Sequence, residues 1–428
     1  MHIGIIGAGF TGLTAAHELQ KQGHHVTIIE REPYPGGLAI GFKKDKWKWS
    51  LEKHYHHIFT SDNAIQTLGK EIGVDFIFKR PVTSTLINGV IAQLDSPLTL
   101  LKYGQLSINE RVRMGATLAY LKYVANWQDL EHFTAHAWMQ EKMGKRAYQM
   151  IWEPLLKAKF STYYKDISLA WFGARIKART TSLGYPTGGF QNFVDTLAKK
   201  IEKRKGVIHY RSTVLEVKDE PDGAQVSYEQ EGIKQNERFD AVLVTMPNML
   251  FSKIAPQLPA DYIKKLQAFK GIGAVNMVLE FDKPFFDNGV YWLSICDKEY
   301  PFLAAVEHTN FVDTSMYNKT HLVYIGNYLP RDHEYFSKTP AELLKIYHPY
   351  IERLSPGYEK HLLDITAFHV PFAQPIVTKS FSKQILPIET PLPHIYLSNM
   401  QQVYPWDRGT NYAVEFGKKA AEAIMTKA

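Results

Sequence analysis

The sequence predicts an α/β fold built around a buried parallel sheet, and three observations near its beginning predict it. A short apolar run, His2–Ile6, is followed at once by a glycine-rich turn. An amphipathic stretch over residues 11–22 follows the turn, and a second apolar run, Val26–Ile29, ends at the acidic Glu30. A strand, a glycine-rich turn, a helix and a second strand in this order are typical of the first βαβ unit of a Rossmann-like sheet.

The glycine-rich turn has the spacing Gly7-x-Gly9-x-x-Gly12, which suits a bound pyrophosphate. Gly7 permits a tight turn, Gly9 lets the phosphates approach the backbone, and Gly12 lets the helix pack closely on the strand. The first amides of the helix face the same phosphates. Glu30 follows at the spacing at which a carboxylate binds the ribose hydroxyls. This unit therefore predicts a dinucleotide site.

A second glycine pair narrows the choice of dinucleotide. Gly36-Gly37 follow the acidic strand end at Glu30-Arg31. This order resembles the extended N-terminal signature of the flavin adenine dinucleotide (FAD) oxidoreductases, which nicotinamide-only dehydrogenases do not usually carry. The resemblance implies that Glu30, Arg31, Gly36 and Gly37 contact FAD, with the second pair giving another close backbone approach to a longer cofactor.

Later segments resemble one superfamily, that of the amine oxidases, protoporphyrinogen oxidases and phytoene desaturases. GVIHYRSTVLEVKDEPDGAQVSYEQEG favours a strand and a hairpin, and RFDAVLVTMP favours a strand over residues 241–245. LGYPTGGFQNFVDTLAKKI, in which Gly188-Gly189 precede a helix, and WEPLLKAKFSTYYKDISLAWF are similar to segments of the same superfamily. The resemblance implies that the backbone of Val214 contacts the adenine.

The C-terminal segment HIYLSNMQQVYPWDRGTNYAVEFGKKAAEAI completes the resemblance. It predicts a strand over Ile395–Leu397 and a helix over residues 411–424. In the superfamily this helix directs its N-terminus at the flavin, where its positive end favours the anionic reduced form. The residues that the resemblance places at FAD in this segment are Asn399, Gly409, Thr410, Asn411 and Tyr412.

Three positions depart from the superfamily pattern. Ser161 follows WEPLLKAKF at a place where glycine is common. Asn399-Met400 replace a common Gly-Asp pair, so the contact with the ribityl chain is expected to be weaker or to come from Asn399. Asn276, in NMVLEF, stands where many amine oxidases have a lysine that positions a water molecule. Asn276 therefore counts against an ordinary amine oxidase mechanism.

The order of the motifs predicts two interleaved domains. The first is a Rossmann-like, GR2-type FAD-binding domain made of residues 1–90, 185–248 and 392–428. The second is an α+β substrate domain made of residues 91–184, which read as mostly helical, and 249–391, which contain strand-like runs. A sheet covered by a helical cap predicts a closed cavity over the flavin.

Three histidines follow the second glycine pair in WSLEKHYHHIF and are the candidate catalytic residues. In an extended chain His54 and His56 share one face, and Tyr55 and His57 share the other. The histidines suit a general base or a group that recognises an anionic substrate, and a merely polar strand is the alternative. The segment contains no cysteine and only one acidic residue, Glu52, so no metal is predicted.

Four residues are candidate substrate contacts. Arg175 and Arg179 suit a substrate carboxylate or phosphate, and a solvated helix face is the alternative. Tyr185 follows them, and Trp406 precedes the C-terminal helix, where an aromatic wall and plain core packing are both compatible with the sequence. Asp407 is expected to cap the helix or to pair with its neighbour Arg408.

Composition limits the class of protein. The chain has 428 residues, 45% hydrophobic content and a net charge of +7, which suits a large core and is compatible with an anionic ligand or an acidic membrane surface. No basic arm, zinc pattern or RNA-binding signature is present, which disfavours nucleic acid. The single cysteine allows no intrachain disulfide. Because the first predicted strand begins at His2, we expect no signal peptide. We expect a cytoplasmic protein, and peripheral membrane contact stays open.

These features predict an FAD-dependent oxidoreductase of the protoporphyrinogen oxidase and phytoene desaturase-like group. It would move a hydride from a C–H bond of a small organic substrate to the flavin and pass electrons to oxygen or a quinone. FAD is expected to be noncovalent, because no histidine or cysteine lies at the C-terminal attachment motif. The alternatives are a non-redox flavoenzyme similar to UDP-galactopyranose mutase and an inert flavin-binding protein.

Overall fold

The computed structural model describes residues 1–427 of the chain. Within them, the α-helices in chain order are α1 (Phe10–Lys21), α2 (Asn63–Ile72), α3 (Pro97–Lys102), α4 (Ile108–Ala119), α5 (Trp127–Leu130), α6 (Ala135–Met143), α7 (Lys145–Ala147), α8 (Glu153–Phe160), α9 (Leu169–Ala178), α10 (Gly189–Lys203), α11 (Asn248–Ile254), α12 (Ala260–Ala268), α13 (Pro340–Leu354) and α14 (Thr410–Lys427).

The strands in the same order are β1 (His2–Ile6), β2 (His25–Ile29), β3 (Gly41–Phe42), β4 (Leu51–Glu52), β5 (Ile58–Phe59), β6 (Phe76–Lys79), β7 (Val82–Ile87), β8 (Val90–Gln93), β9 (Leu183–Pro186), β10 (Val207–His209), β11 (Ser212–Glu220), β12 (Gly223–Gln230), β13 (Ile233–Phe239), β14 (Ala241–Val244), β15 (Gly271–Phe281), β16 (Val290–Ile295), β17 (Ala304–Glu307), β18 (His321–Leu329), β19 (Leu362–Pro375) and β20 (Ile395–Leu397).

A five-stranded parallel sheet in the order β10-β2-β1-β14-β20 confirms the predicted Rossmann-like core. In its register Ile6 pairs with Ile29 and with Val244, and Val244 pairs with Leu397. The carboxyl ends of four strands therefore lie at one edge of the sheet. Ligands of open parallel sheets bind outside this edge.

Helices α1 and α14 pack against each other on this sheet. A Cβ atom added to Gly417 of α14 would lie 2.6 Å from the carbonyl oxygen of Thr11 in α1. The two helices approach this closely because Gly417 has no side chain. The contact holds the beginning of α14 near the carboxyl edge, as the resemblance implied.

A seven-stranded sheet in the order β19-β15-β18-β17-β16-β7-β8 forms the second layer. The long strand β15, next to the edge strand β19, pairs antiparallel with β18 and β19. The strand-like runs predicted within residues 249–391 include β15, β16 and β18. Helices α3–α9 form a cap whose interior includes Met139, Tyr148 and Trp171, which are almost wholly buried and belong to an apolar cluster that reaches the parallel sheet.

We propose small shifts in the domain boundaries. β7 and β8 pair within the seven-stranded sheet, so the first boundary falls near residue 81 rather than 90. β9 pairs with β5 and β6, which places the start of the second FAD-binding segment near residue 183. Among the described residues, no helix combines the length and apolar character that crossing a membrane requires.

Candidate active site

A cavity of about 780 Å³ lies between the helical cap, the seven-stranded sheet and the segment before α14. This volume is in the range of sites that enclose a small organic molecule. The predicted site residues that line it are His54, His56, His57, Arg175, Arg179, Gly409, Thr410, Asn411 and Tyr412. The structure therefore brings the histidine, arginine and C-terminal motifs to one place.

The two glycine motifs lie against each other beside this cavity. Gly7 and Gly36 have φ angles of 105° and 148°, and a Cβ atom added to Gly37 would lie 3.1 Å from the Cα atom of Gly9. A Cβ on Gly12 would lie 2.1 Å from the carbonyl oxygen of Gly7. Side chains at Gly12 and Gly37 would collide with the backbone of the first glycine motif, so the close packing of the two turns needs these glycines. This tight arrangement fits the turn that holds the pyrophosphate of FAD.

Glu30 lies at the end of β2 and joins the glycine turn to the hairpin of β11. Its carboxylate accepts hydrogen bonds from the backbone nitrogens of Ala8, at 2.6 Å, and Glu32, at 2.8 Å. The nitrogen of Ser212 donates to the Glu30 carbonyl oxygen at 2.8 Å, which places Val214 two residues from this edge. Glu30 and Val214 thus lie where the nucleoside end of FAD is expected.

Arg31 and Asn399 make contacts with the protein itself. The Arg31 guanidinium is largely exposed and lies 3.1 Å from the Glu32 carboxylate. The Asn399 amide donates to the Met246 carbonyl oxygen and to Asn248 Oδ1, and its own Oδ1 accepts from the nitrogen of Gln401. The buried Asn399 side chain therefore braces the turn after β20, and a ribityl contact from it stays a prediction.

Asn411 links the beginning of α14 to α2. Its Oδ1 accepts hydrogen bonds from the nitrogens of Ala64, at 2.9 Å, and Ile65, at 3.2 Å. Thr410 and Asn411 are buried, while their backbone lines the cavity. The N-terminal end of a long helix thus faces the cavity, where it stabilises negative charge.

The histidine segment is not the extended strand that the sequence suggested. Only Leu51–Glu52 and Ile58–Phe59 are strands, and the chain between them bends, so that all of residues 54–57 line the cavity. His56 Nδ1 donates to the carbonyl oxygen of His54 at 2.6 Å, which leaves Nε2 as an acceptor. The Asn276 amide contacts His54 Nδ1 and leaves the proton of that ring on Nε2.

The three histidines are neutral at neutral pH. Burial lowers the pKa of His54 and His57 to about 3 and that of His56 to about 4, and neighbouring positive groups add to the effect. Neutral rings with fixed tautomers orient a substrate and donate or accept one hydrogen bond each. A strongly basic role would need a partner that raises these pKa values.

Asp407 lies at the centre of a charged cluster on the cavity wall. Its carboxylate accepts hydrogen bonds from Lys159 Nζ, at 3.0 Å, from Arg175, and from Trp171 Nε1 and Gln374 Nε2, each at 3.2 Å. Burial opposes ionisation, but Lys159, Arg175 and Arg408 outweigh it and hold the pKa of Asp407 well below its usual range. The expected cap or pair with Arg408 is wrong, because the Asp407 oxygens point to α8 and α9.

Arg179 and Arg408 keep unused hydrogen-bonding capacity toward the cavity. The Arg408 guanidinium donates to the Tyr328 hydroxyl at 2.7 Å, and its buried Nε has no partner among the described residues. No acceptor within residues 1–427 pairs with the Arg179 guanidinium, and burial with the nearby Arg175 lowers its pKa to about 9. Both groups are available to an anion.

Tyr185 and Trp406 do not reach the cavity. Tyr185 is almost wholly buried and donates its hydroxyl hydrogen to the Glu52 carboxylate at 2.6 Å. Trp406 stacks on Tyr412 with ring centroids 5.8 Å apart, and Tyr412 forms the wall instead. We therefore propose supporting positions for Tyr185 and Trp406, behind the residues that line the cavity.

Sequence reasoning missed Lys159 and the role of Asn276 as a histidine partner. Lys159 lies between Ala158 and Phe160 on a helix whose neighbours are mostly apolar, and its side chain is only 10% exposed. A lysine on a buried face was a usable signal, because such a group needs a partner. The sequence analysis identified Asn276 only as a replacement for the lysine of many amine oxidases, and nothing in its sequence context indicated a contact with His54.

Comparison with known proteins agrees with this geometry. The family model described as flavin containing amine oxidoreductase matches residues 10–425. Coproporphyrinogen III oxidase of Staphylococcus aureus is 27% identical over 334 residues, 67% of this chain and 68% of that protein. Zeta-carotene desaturase of Solanum lycopersicum is 30% identical over 182 residues, which cover 37% of this chain and 31% of that protein.

Solved structures share the fold along nearly the whole chain. Cyclohexylamine oxidase from Brevibacterium oxydans superposes with a TM-score of 0.76 at 14% identity and covers 99% of this chain and 98% of its own. Reduced UDP-galactopyranose mutase gives 0.77 at 13% identity, with 100% and 94% covered. Because the family model matches nearly the whole of this chain, the chain belongs to the flavin-containing amine oxidoreductases and is an FAD-dependent oxidoreductase.

Proposed function

We propose that the protein dehydrogenates an organic substrate that carries an anionic group, such as a porphyrinogen carboxylate or another organic acid. The observation that carries the proposal is the charge of the cavity wall. The wall has five basic side chains, Lys122, Lys159, Arg175, Arg179 and Arg408, against three carboxylates, Asp62, Asp95 and Asp407. Burial, with Arg175 and Arg408 nearby, lowers the pKa of Lys159, but the three arginines and Lys122 still outnumber the carboxylates. An excess of cations in an enclosed site favours an anionic ligand.

The two free guanidinium groups, of Arg179 and Arg408, are the proposed anion contacts. Lys159 and Arg175 already donate hydrogen bonds to the Asp407 carboxylate. The Lys122 ammonium donates to the carbonyl oxygen of Arg179 at 2.6 Å. Arg179 and Arg408 therefore offer the strongest unpaired donors. A guanidinium binds a carboxylate through two parallel hydrogen bonds, which fixes the orientation of the substrate as well as its position.

The protein contributes orientation and exclusion of water. Bound FAD supplies the hydride acceptor, and the chain holds the donor carbon near it. His54, fixed by Asn276, presents an N–H group, and His56 presents a ring nitrogen that accepts a hydrogen bond. Helices α3, α4, α8 and α9 line the cap side of the cavity and limit the access of solvent. The role of the histidines in this proposal is thus to align the substrate through hydrogen bonds of neutral rings, because their lowered pKa values disfavour proton acceptance.

The further parts of the proposal concern partners and location. Oxygen or a quinone is the proposed electron acceptor, since a reduced flavin must be reoxidised in each cycle. A cytoplasmic location suits the single, buried Cys296, which forms no disulfide within the chain. FAD is proposed to be noncovalent, because no histidine or cysteine lies among residues 404–412.

A second candidate is a non-redox reaction on a nucleotide-sugar. The same cationic wall suits a diphosphate, because Arg179 and Arg408 bind phosphate oxygens as readily as carboxylates. The helix end at Asn411 stabilises negative charge in the reduced cofactor in either reaction. The two candidates therefore differ in whether electrons leave the substrate.

An anaerobic comparison distinguishes them. Oxidised protein is mixed with reduced porphyrinogens, polyenes and amines, and dithionite-reduced protein is mixed separately with nucleotide-sugars. We expect flavin bleaching with an acidic donor and one oxidised product molecule for each flavin reduced. Isomerisation of a nucleotide-sugar by the reduced protein, without bleaching by any donor, would replace the first candidate by the second.

A further inference from the structure

Lys159, in the last turn of α8, is a buried lysine on the wall of the active-site cavity. Its side chain is only 10% exposed, and the residue belongs to the cavity lining. The aromatic rings of Phe160, Trp171 and Tyr328 lie around its Nζ atom, with their centroids 5.9, 5.4 and 5.3 Å away. The amine is therefore separated from bulk water but faces any molecule that the cavity holds.

The charge around Lys159 is not balanced. Its Nζ atom donates a hydrogen bond to the Asp407 carboxylate at 3.0 Å, and Arg175 donates to the same carboxylate. Arg408 lies close enough to add its positive charge. Three basic groups thus share one buried carboxylate. A guanidinium keeps its proton more firmly than an amine does, so Lys159 is the member of the three that gives up a proton most readily.

These surroundings make the Lys159 amine a nucleophile. Burial lowers its pKa well below the usual range, and Arg175 and Arg408 add to the effect, although Asp407 opposes it. A neutral lysine amine attacks carbonyl carbon atoms, and removal from water and a neighbouring cation are the two conditions that produce such an amine in proteins. Lys159 meets both conditions, and the reaction proposed above gives its amine no role.

Tyr328 of β18 holds Lys159 and an anion-binding group near each other. Arg408 donates to the Tyr328 hydroxyl at 2.7 Å, while Lys159 Nζ lies 5.3 Å from the centre of the same ring. The buried Nε of Arg408 has no partner among the described residues. A short oxo acid has one group for each of these side chains, a carbonyl carbon for the amine and a carboxylate for the guanidinium.

We propose that Lys159 captures the carbonyl group of an oxo acid as a reversible imine while Arg408 holds the carboxylate of that acid. The amine nitrogen attacks the carbonyl carbon, and the carbonyl oxygen leaves as water together with both amine hydrogens. No electrons are transferred, and hydrolysis restores the lysine. The carboxylate contact rests on the proposed function, because it uses the same guanidinium, whereas the reactive amine does not depend on it.

Reductive trapping in the FAD-loaded protein tests the proposal. The protein is incubated near neutral pH with 4-oxobutanoate or with its methyl ester, and cyanoborohydride reduces any imine to a stable secondary amine that peptide mass spectrometry locates. Lys264, whose side chain is 80% exposed, reports the reactivity of an ordinary lysine in the same sample. We expect the acid to label Lys159 at least tenfold faster than Lys264. This advantage should shrink near pH 10, where exposed lysines also lose their proton.

The ratio of the acid rate to the ester rate isolates the carboxylate contact, because a change in the amine affects both ligands alike. We expect a ratio of at least tenfold in the parent, a ratio near one in Arg408→Gln, and the parent ratio in Arg353→Gln, at an exposed arginine. Lys159→Arg keeps a positive charge beside Asp407, cannot form an imine and should lose the label. The FAD content of each variant reports that it is folded.

Three results would overturn the proposal. They are an unlabelled Lys159 in a sample in which Lys264 reacts, equal labelling of Lys159 by acid and ester, and a preference for the acid that survives Arg408→Gln. None of these results involves bleaching of the flavin by a donor, so a failure of the proposed dehydrogenation is recognised separately.

Discussion

At the scale of single residues, Asp407 determines the charge of the cavity wall. Its carboxylate compensates two buried cations, Lys159 and Arg175, and receives two further hydrogen bonds. Sequence reasoning located this residue but not its partners, because Lys159 is 248 positions away and only the tertiary fold joins them. The same limit applies to Asn276 and His54, which are 222 residues apart.

Asp407→Asn is expected to destabilise the protein by roughly 3–5 kcal/mol, because it leaves buried cations without a compensating charge. Lys159→Met should cost less, since Arg175 still pairs with Asp407. Urea unfolding measures both changes. Asp261→Asn, at a side chain that is 90% exposed, is the control and should change stability little. Equal, small effects of the Asp407 and Asp261 changes would show that the cluster is not a buried charge network.

Glu52 gives a pH-dependent prediction. Burial raises its pKa to about 7, and hydrogen bonds from Tyr185 and from the nitrogen of Phe190 offset part of the rise. The folded protein therefore holds this proton where the unfolded chain has lost it, so the contribution of Glu52 to stability falls as pH rises from 4.5 to about 7. The linked free energy is of the order of 3 kcal/mol.

Glu52→Gln should therefore gain stability relative to the parent over this pH interval and keep a constant difference above it. Unfolding midpoints across the interval measure the effect. Glu299→Gln, at a side chain that is 56% exposed, serves as the control, and its difference from the parent should vary far less over this interval than that of Glu52→Gln. A flat difference for Glu52→Gln as well would mean that this carboxyl titrates as an ordinary one.

Glu30→Ala is expected to weaken FAD retention by roughly 10–100-fold, the effect of losing one charged hydrogen bond. The physical reason is that Glu30 holds the glycine turn in place, because its carboxylate accepts hydrogen bonds from the nitrogens of Ala8 and Glu32. FAD released on dialysis is measured by fluorescence. Glu32→Ala removes a neighbouring carboxylate that pairs with the exposed Arg31 and should retain FAD as the parent does. Unchanged retention in Glu30→Ala would remove Glu30 from the cofactor site.

At the scale of elements, the contact between α1 and α14 positions the end of the helix that faces the cavity. Gly417→Ala would force a Cβ to within 2.6 Å of Thr11 oxygen, so we expect a loss of about 1–3 kcal/mol in stability and faster FAD release. Gly115→Ala, in α4, has only an ordinary contact at 3.6 Å and should be neutral or stabilising. Calorimetry and FAD release measure both variants. Similar effects of the two changes would show that α14 does not need the close approach.

Most elements near the cofactor were predictable because their patterns are local. The strand over Ile395–Leu397 is as predicted, α1 and α14 begin one residue earlier than predicted, and α14 runs on to Lys427. The bend over residues 53–57 was not predictable, because the alternation of side chains alone suggests a strand. Ser161 has a φ of 50°, a conformation that glycine adopts without strain, which explains why glycine is common there.

At the scale of the whole molecule, the two sheets and the helical cap enclose one cavity from segments far apart in sequence. The family, the fold class and FAD followed from collinear motifs. The motifs did not predict that β7 and β8 belong to the seven-stranded sheet, because the pairing of β7 with β16 joins segments far apart in sequence. The positive charge of the cavity could be recognised only in the structure. From the sequence alone, Arg175 and Arg179 were compatible with a solvent-exposed helix face as well as with a binding site.

The cationic wall is tested most directly by the rate of anaerobic flavin bleaching with an organic acid donor and with its methyl ester. We predict that the parent reduces its flavin at least tenfold faster with the acid at limiting donor concentration. Arg179→Gln should lose this preference while the ester reacts at an unchanged rate, and Arg353→Gln, at an exposed arginine, should keep it. Equal rates for acid and ester in the parent, or a preference that survives the double variant Arg179→Gln/Arg408→Gln, would contradict the assignment of the cavity to an anionic donor.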